Sequence, residues 1–387
     1  MIVGGGIGGC VLAALLGRAG RKVMVLERST SAPMWTRPEI LWPNTAETLF
    51  TLLPRETWEA QAMMPLQGIE VFNQGGFVSG VSQSDLDGAK VHPWSTNPNA
   101  TRELLLGLDS FELRRGVEVA EVLKDNGRVI GVRAREVTGG KEFEVLADWT
   151  VGDDGGKSIV RRACDIELKT RLFPIEFFCF RFDWPKSFRV GAVHVIPNLD
   201  GVRGGVLALG GAPLPDDKGA GIIATLGQEF DRQRGPAETW TEWREKYPAV
   251  NDFVGDRQFP DDFAHVKRYW GHANRYGAPG AILMGDAAHP PSPAGGQGAN
   301  MAVGDARVLA ELLLANTPDV VSEYERRRRP ANTRSLRPTR AANFVLGLPD
   351  WGRALIPWRT FGRLVGRHSL MIRHVLRFLS EAFQERK

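Results

Sequence analysis

The chain has 387 residues, 43% hydrophobic and 24% charged, with a formal net charge of +4; that length suits two or three domains and a sizeable core. No apolar run reaches the roughly 18 residues of a membrane-spanning helix, and Cys10, Cys164 and Cys179 are too scattered for a disulfide framework or a zinc site. Residues 351–387 hold eight basic residues against two acidic, so the basic character belongs to the tail, the body is slightly acidic, and nucleic-acid binding loses its main support. No charged-then-apolar leader opens the chain, and a cytoplasmic, reducing location is expected.

Gly4, Gly6 and Gly9 form a G-x-G-x-x-G loop with Ile7 and Gly8 between them. A helix is expected over 11–18, closed by Gly20, then a strand over 22–26 ending at Glu27, 18 residues after Gly9. The glycines allow a tight turn, close approach of a pyrophosphate and helix–strand packing, and the acid is placed for a ribose hydroxyl, so the unit reads as a dinucleotide site. Only three residues precede Gly4. That is short for a strand of ~5–6 residues and points to a native start upstream.

Further along, residues 68–81 read as a piece of a sheet. Residues 147–161 run as a strand into Gly152-Asp153-Asp154-Gly155, after which Ser158 caps a short helix bearing Arg161. Residues 171–274 read as antiparallel strands, among them 190–196, 205–209 and 221–226. Phe178, Phe180, Phe182 and Trp184 share one face at period two; Phe177, Cys179, Arg181 and Asp183 share the other. The aromatic face is sheet core or pocket lining. His265 and His272 lie near the return from these strands, and each is structural or faces a pocket.

The most informative stretch is Gly285 to Asn300. An apolar strand over 281–284 delivers Asp286 to a turn, and prolines and glycines forbid regular structure until Gly298. A helix then runs over 299–315. Asp286 can accept from hydroxyls, while loop amides and the positive helix end can face a developing anion. His289 is a candidate proton-transfer group or a brace for the loop. Arg326 to Arg329 mimic a localisation signal but read as a solvated helical face. From Phe361 the tail is amphipathic: Phe361, Leu364, Val365, Ile372, Val375, Leu376, Leu379 and Phe383 share one side, and Arg363, Arg367, His374 and Arg377 lie roughly opposite, with Trp351 and Trp358 ahead. It is a helix packed on the body, or a basic helix making weak peripheral membrane contact or covering a substrate entrance.

Three motifs in this order resemble the class A FAD-dependent monooxygenases, the p-hydroxybenzoate hydroxylase-like family: the glycine loop with Glu27, the turn at Gly152–Gly155 with Ser158 and Arg161, and Gly285-Asp286 through Asn300. The family more often has Ala at position 153. Arg37, in Trp35-Thr36-Arg37-Pro38, and Arg102, ahead of Leu105, are weaker matches. The resemblance spans about residues 1–345. It implies an α/β fold: a Rossmann-like FAD-binding domain (1–70, 96–170 and 275–345), an inserted antiparallel-sheet substrate domain (71–95 and 171–274) and a helical tail (346–387). It further implies FAD held by Gly4, Gly6, Ile7, Gly8, Gly9, Glu27, Arg28, Arg37, Arg102, Asp154, Gly155 and Asp286, with Pro293, Gly295, Gly296, Gln297, Gly298, Ala299 and Asn300 along the isoalloxazine. Chemistry is expected beside Pro293. The implied activity is hydroxylation of a phenol-like or electron-rich aromatic small molecule with O2 and NADPH (or NADH), through a C4a-hydroperoxyflavin. The expected assembly is a monomer or homodimer, without metal. A reductase or epoxidase on the same fold, or a flavin-binding protein without turnover, is the alternative.

Overall fold

The computed structural model describes residues 1–32, 37–73, 76–186, 188–197, 205–226, 238, 241–242, 244–245, 264–291, 296–356, 369–382 and 384. Pro293 and Gly295, with Trp35, Thr36, Trp358, Phe361, Leu364, Val365 and Phe383, lie outside the described residues.

One sheet positions the site. Its strands run in the order Gly277–Ala278, Ala281–Leu283, Thr150–Gly152, Ile2–Val3, Met24–Glu27, Glu112–Arg115. All neighbours are parallel except the first pair. Ile2, Val25, Val151 and Ile282 are essentially inaccessible to solvent, as a parallel sheet covered on both faces requires. Because the four central strands point the same way, whatever follows each collects on one edge. Gly4 follows the first, Glu27 ends the second, Asp153 follows the third and Asp286 the fourth. This carboxyl edge is where ligands bind open α/β sheets.

The glycine-loop helix starts at Ile7, earlier than the expected 11, and runs to Arg18. Its N-cap is Gly6, so the helix end is bare of side chain and its amides are presented directly. The second motif helix spans Gly298–Leu314 and packs alongside it.

The other large layer is a seven-stranded sheet in the order Ala264–Ala273, Leu168–Asp183, Lys218–Leu226, Gly205–Pro213, Ala192–Pro197, Gly68–Asn73, Gly76–Val81. It is antiparallel apart from the pairing of Ala192–Pro197 with Gly68–Asn73. The strands read at 68–81 do join it. Phe178, Phe180 and Phe182 are buried, and Phe178 stacks on His265 with ring centroids 4.6 Å apart. The opposite face carries Phe177 and Cys179, which pair with Val266 and Ile222 on neighbouring strands. The aromatic stripe is therefore core, and its alternate partners reach the cleft.

The four arginines read as one solvated face divide by helical position. Arg326 is exposed and bonds Glu323, Arg327 reaches Glu311 and Arg329 reaches Glu325. Arg328 is only 1% exposed. A helix turns about 100° per residue, so four consecutive side chains cannot share one side; one points inward and needs a buried acid.

The tail helix Ser369–Glu381 is docked on the body. Leu376 is buried among Trp42, Leu86, Ala89, Val91 and Met301. Arg377 donates from Nε to the Ala89 carbonyl (3.2 Å) and from Nη2 to the Gly88 carbonyl (2.9 Å).

Candidate active site

One end of the site is built around the Gly5 peptide. Glu27 Oε2 accepts from Gly5 N at 2.7 Å, and Arg102 Nε donates to the Gly5 carbonyl at 2.6 Å. The two side chains close the clamp with a 2.9 Å ion pair. Ser29 donates to Glu27 Oε1 through its amide (2.6 Å) and hydroxyl (2.5 Å). Burial pushes the Glu27 carboxyl up, but the Ser29 bonds, Arg102 and the Gly5 amide outweigh it and hold the acid below its ordinary range. Arg28 points to the surface, 3.8 Å from Glu118.

Between the two sheets lies a cleft of about 310 Å³. One wall is Gly6, Ile7, Gly8, Asp153, Gly155, Asp286, Gly296, Gln297, Gly298 and Ala299; the other is Phe177, Cys179, Ile222, Val266 and Arg268. Arg37 and Glu39 close one side. Arg37 holds Glu39 Oε2 through Nε (3.1 Å) and Nη2 (2.9 Å), and that pairing raises its pKa. Arg268 stands 3.7 Å from Asp286, too far for a hydrogen bond. Burial, then the neighbouring Arg37 charge, pull Arg268 below the ordinary arginine range. Burial pushes the Cys179 thiol up to about 11, so it lies in the cleft as a neutral, unreactive group.

Behind the Gly285-Asp286 turn sits a buried polar knot. Asp305 Oδ2 meets His289 Nε2 at 2.5 Å and accepts from Gly285 N at 3.1 Å. Asp305 Oδ1 accepts from Arg328 Nε at 2.7 Å and Asn332 Nδ2 at 3.1 Å. Burial acts to raise the Asp305 pKa, but His289 and Arg328 overcome it and hold the carboxyl well below its usual range. His289 is fully buried here and is absent from the cleft wall. Sequence reasoning missed Asp305 altogether and read Arg328 as part of a solvated face, whereas it is buried. The available signal was a lone aspartate within an otherwise apolar helix face.

The remaining motif residues divide in the same way. Asn300 is buried: its amide nitrogen donates to the Ile40 carbonyl (2.9 Å) and the Gly296 carbonyl (2.8 Å), and its oxygen accepts from Trp42 N (2.9 Å). It therefore ties the glycine turn to the strand Glu39–Leu41 from behind. Gln297 Nε2 donates to the Leu379 carbonyl of the tail at 3.1 Å. Asp154 Oδ2 accepts from Ile159 N at 2.6 Å, while Gly155 at φ +78° turns the chain along the cleft. Neither His265, bonded to Glu176 at 2.6 Å, nor His272, beside Tyr276, lines the cleft.

The residues present fit a flavin dinucleotide. Among the described residues, the amides of Gly6, Ile7 and Gly8 donate to no protein partner, and all three residues face the cleft. Bare amides at a positive helix end are a pyrophosphate seat. The second motif helix brings Gly298 and Ala299 to the same cleft without a side-chain cap. A profile described as "FAD binding domain" matches residues 1–339. The chain belongs to this FAD-binding family. The chain is 28% identical over 319 residues (79% of it and 72% of the relative) to a 6-methylpretetramide 4-monooxygenase of Streptomyces rimosus. It is 28% identical over 362 residues, 85% of the chain and 62% of the relative, to a probable NADH-specific resorcinol 4-hydroxylase of Rhodococcus jostii. Its fold matches the crystal structure of p-nitrophenol 4-monooxygenase from Pseudomonas putida with a TM-score of 0.77 at 20% identity, over 100% of this chain and 98% of that one. The fold and the FAD expectation hold: the chain is a member of this FAD-binding family and is similar to flavoprotein monooxygenases and hydroxylases.

Proposed function

We propose that the protein hydroxylates a phenol-like or electron-rich aromatic molecule within the cleft between the two sheets, drawing electrons from NADPH or NADH. The observation that supports this reading most is the composition of that cleft. An apolar face (Phe177, Ile222, Val266) stands opposite two helix N-termini and Asp286, with two guanidiniums at the side. FAD, when bound, would supply the redox chemistry, as hydride acceptor and O2-activating group.

The protein's share is binding, orientation and exclusion of water. Asp286 accepts from cofactor hydroxyls. The amides at Gly298 and Ala299 stabilise negative charge on the reduced ring by roughly 0.3–2 kcal/mol through the helix dipole. Phe177, Ile222 and Val266 stack on the substrate ring and keep water away. Arg268, underpaired at 3.7 Å from Asp286, holds the substrate's ring oxygen as its phenolate and so favours loss of that proton. Glu27 and Arg102 hold Gly5 in shape for the adenosine side. His289 braces the Gly285 turn through Asp305 rather than moving a substrate proton. In the same reading, residues 1–70, 96–170 and 275–345 carry the cofactor, with the inserted sheet taking up its strands at 68 and 168.

The test is NAD(P)H oxidation by the holoenzyme against a panel of phenols under 18O2. Label in a hydroxylated product supports the reading. Stimulated oxidation without label indicates a reductase, label in an epoxide an epoxidase, and no stimulation by any substrate a flavin binder without turnover.

A further inference from the structure

The turn after the third parallel strand carries an acid, Asp153, where the family more often has Ala. Its carboxyl sits inside the cofactor cradle. Oδ2 accepts from Gly9 N, in the first turn of the glycine-loop helix, at 2.7 Å. The carboxyl fills the space that three glycines leave. A Cβ on Gly6 would come within 2.6 Å of Oδ2, one on Gly9 within 2.9 Å of Oδ2, and one on Gly285 within 2.6 Å of Oδ1. Asp153 also lines the cleft beside Gly6, Ile7 and Gly8, whose free amides make the pyrophosphate seat.

The charges around this carboxyl are mostly negative. Asp154 adjoins it on its own turn, Asp286 faces it from the fourth motif strand and Asp305 from the Gly298–Leu314 helix. On the glycine-loop helix the neighbouring titratable group is the buried thiol of Cys10. Of the nearby arginines, Arg37 pairs with Glu39 at the cleft, Arg328 pairs with Asp305 behind it, and Arg268 stands 3.7 Å from Asp286. Among the described residues the Asp153 carboxyl forms no ion pair, and its one hydrogen bond is from Gly9. A pyrophosphate brings two more negative charges to this place. An ionised carboxylate there would repel it, whereas a neutral acid has an O–H to donate to a phosphate oxygen.

We propose that Asp153 is a positioning residue that meets the FAD pyrophosphate as a neutral carboxylic acid, so that cofactor binding takes up a proton and weakens as pH rises. Burial, partly offset by the Gly9 amide, and then the neighbouring acids raise the Asp153 pKa well above the ordinary carboxylate range before any cofactor is present. The pyrophosphate raises it further. Between the free and bound values, the linkage makes FAD affinity fall by up to about tenfold for each pH unit. Asn at 153 keeps the shape and an acceptor for Gly9 N, and its NH2 replaces the acid's O–H at every pH.

The experiment is titration of stripped protein with FAD from pH 5.5 to 8.5, read by flavin fluorescence, for the wild type, Asp153→Asn and Asp153→Ala. Calorimetry of the wild type at pH 7.5 in phosphate and in Tris counts protons directly. Expected are a wild-type Kd that rises at least tenfold across the range, a nearly flat Asp153→Asn profile, and net uptake approaching one proton. The Asp153→Ala protein is expected to bind more weakly than Asp153→Asn at all pH values and without the pH dependence. Parallel wild-type and Asp153→Asn profiles with no proton uptake overturn the proposal while leaving FAD binding intact. Uniformly tighter FAD binding by Asp153→Asn, with a flat wild-type profile, also overturns it, because it shows a carboxylate that merely repels the cofactor. If Asp153→Asn does not fold, the proton count on the wild type decides alone.

Discussion

Replacing Asp305 by Asn tests the buried knot behind the flavin turn. The substitution keeps shape and volume and removes one charge. Asp305 and Arg328 are 0% and 1% exposed, so solvent screens neither. The carboxylate accepts from Gly285 N, His289 Nε2, Arg328 Nε and Asn332 Nδ2. An amide has only one acceptor oxygen for these four donors, and its own NH2 must face one of them. Arg328 loses the buried carboxylate it pairs with, and breaking a buried pair by removing one partner costs about 3–5 kcal/mol. With a urea slope of about 2–3 kcal/mol/M, the unfolding midpoint should drop by roughly 1–2 M at neutral pH. The pH dependence has a definite sign. The folded Asp305 pKa lies below the unfolded value of ~3.9, so its contribution is present above about pH 5 and is lost as pH falls through the unfolded value toward the folded one. The gap between wild type and Asp305→Asn should therefore narrow in acid. Pairing the change with Arg328→Met removes the other half of the broken pair and should recover about half or more of the loss, since neutral replacement of a buried pair is often tolerated. A single-mutant loss below ~1 kcal/mol, or a double mutant worse than the sum of the two singles, would refute the argument from a broken buried pair.

Three further outcomes follow from the same geometry. Asp286→Ala should purify colourless, with FAD affinity at least about tenfold weaker because the cofactor hydroxyls lose a charged acceptor; full yellow retention with unchanged Kd sinks that role. Arg268→Met should raise KM for phenolic substrates by about 10- to 100-fold, the worth of one charged hydrogen bond, with FAD affinity near wild type; unchanged KM across a phenol panel removes Arg268 from substrate binding. Deleting residues 351–387 uncovers Trp42, Leu86 and Met301 and frees Gln297 from the Leu379 carbonyl. The truncated protein should lose at least ~1.5–3 kcal/mol of stability, from Leu376 alone, in urea unfolding. It should float with anionic liposomes no less than the full chain, whereas flotation lost on deletion would return the tail to the membrane.

The legible parts of this protein are those in which the backbone carries the information. A glycine loop, an acid at a strand end and a Pro/Gly turn before a helix each state their geometry within about ten residues. The sequence order of Gly4, Glu27, Asp153 and Asp286 thus becomes one spatial edge as soon as the strands are parallel. The tail was open between two readings because amphipathicity shows that a face must be covered without saying by what; among the described residues, Trp42, Leu86 and Met301 cover Leu376 of that face while Val375 stays exposed. Parity in the substrate sheet was open for a related reason. Period two divides Phe178 from Phe177 without saying which set faces the cleft, and the cleft lining, which holds Phe177, Cys179 and Val266, decides it.

Illegible were the contacts that join distant segments through side chains. Arg328 looked like one of four equivalent surface charges, because nothing local marks the one residue in such a run that faces inward. Its partner Asp305 lies 23 positions away on another helix, and the pair has meaning only through Gly285, whose amide it fixes. The same holds for Asn300, which has the look of a motif residue and acts from behind by tying Gly296 to Ile40. Such residues share a physical position: they are buried, polar and one layer away from the cleft. The motif glycines have no side chains with which to hold themselves, so the shape of the loops must be imposed from outside by Glu27 and Arg102 on Gly5, by Asp305 on Gly285, and by Asn300 on Gly296. A bare backbone suited to phosphate and flavin therefore requires a polar second layer, and that requirement predicts that substitutions there should change cofactor affinity and stability together, whereas substitutions on the Phe177 face should change substrate affinity alone.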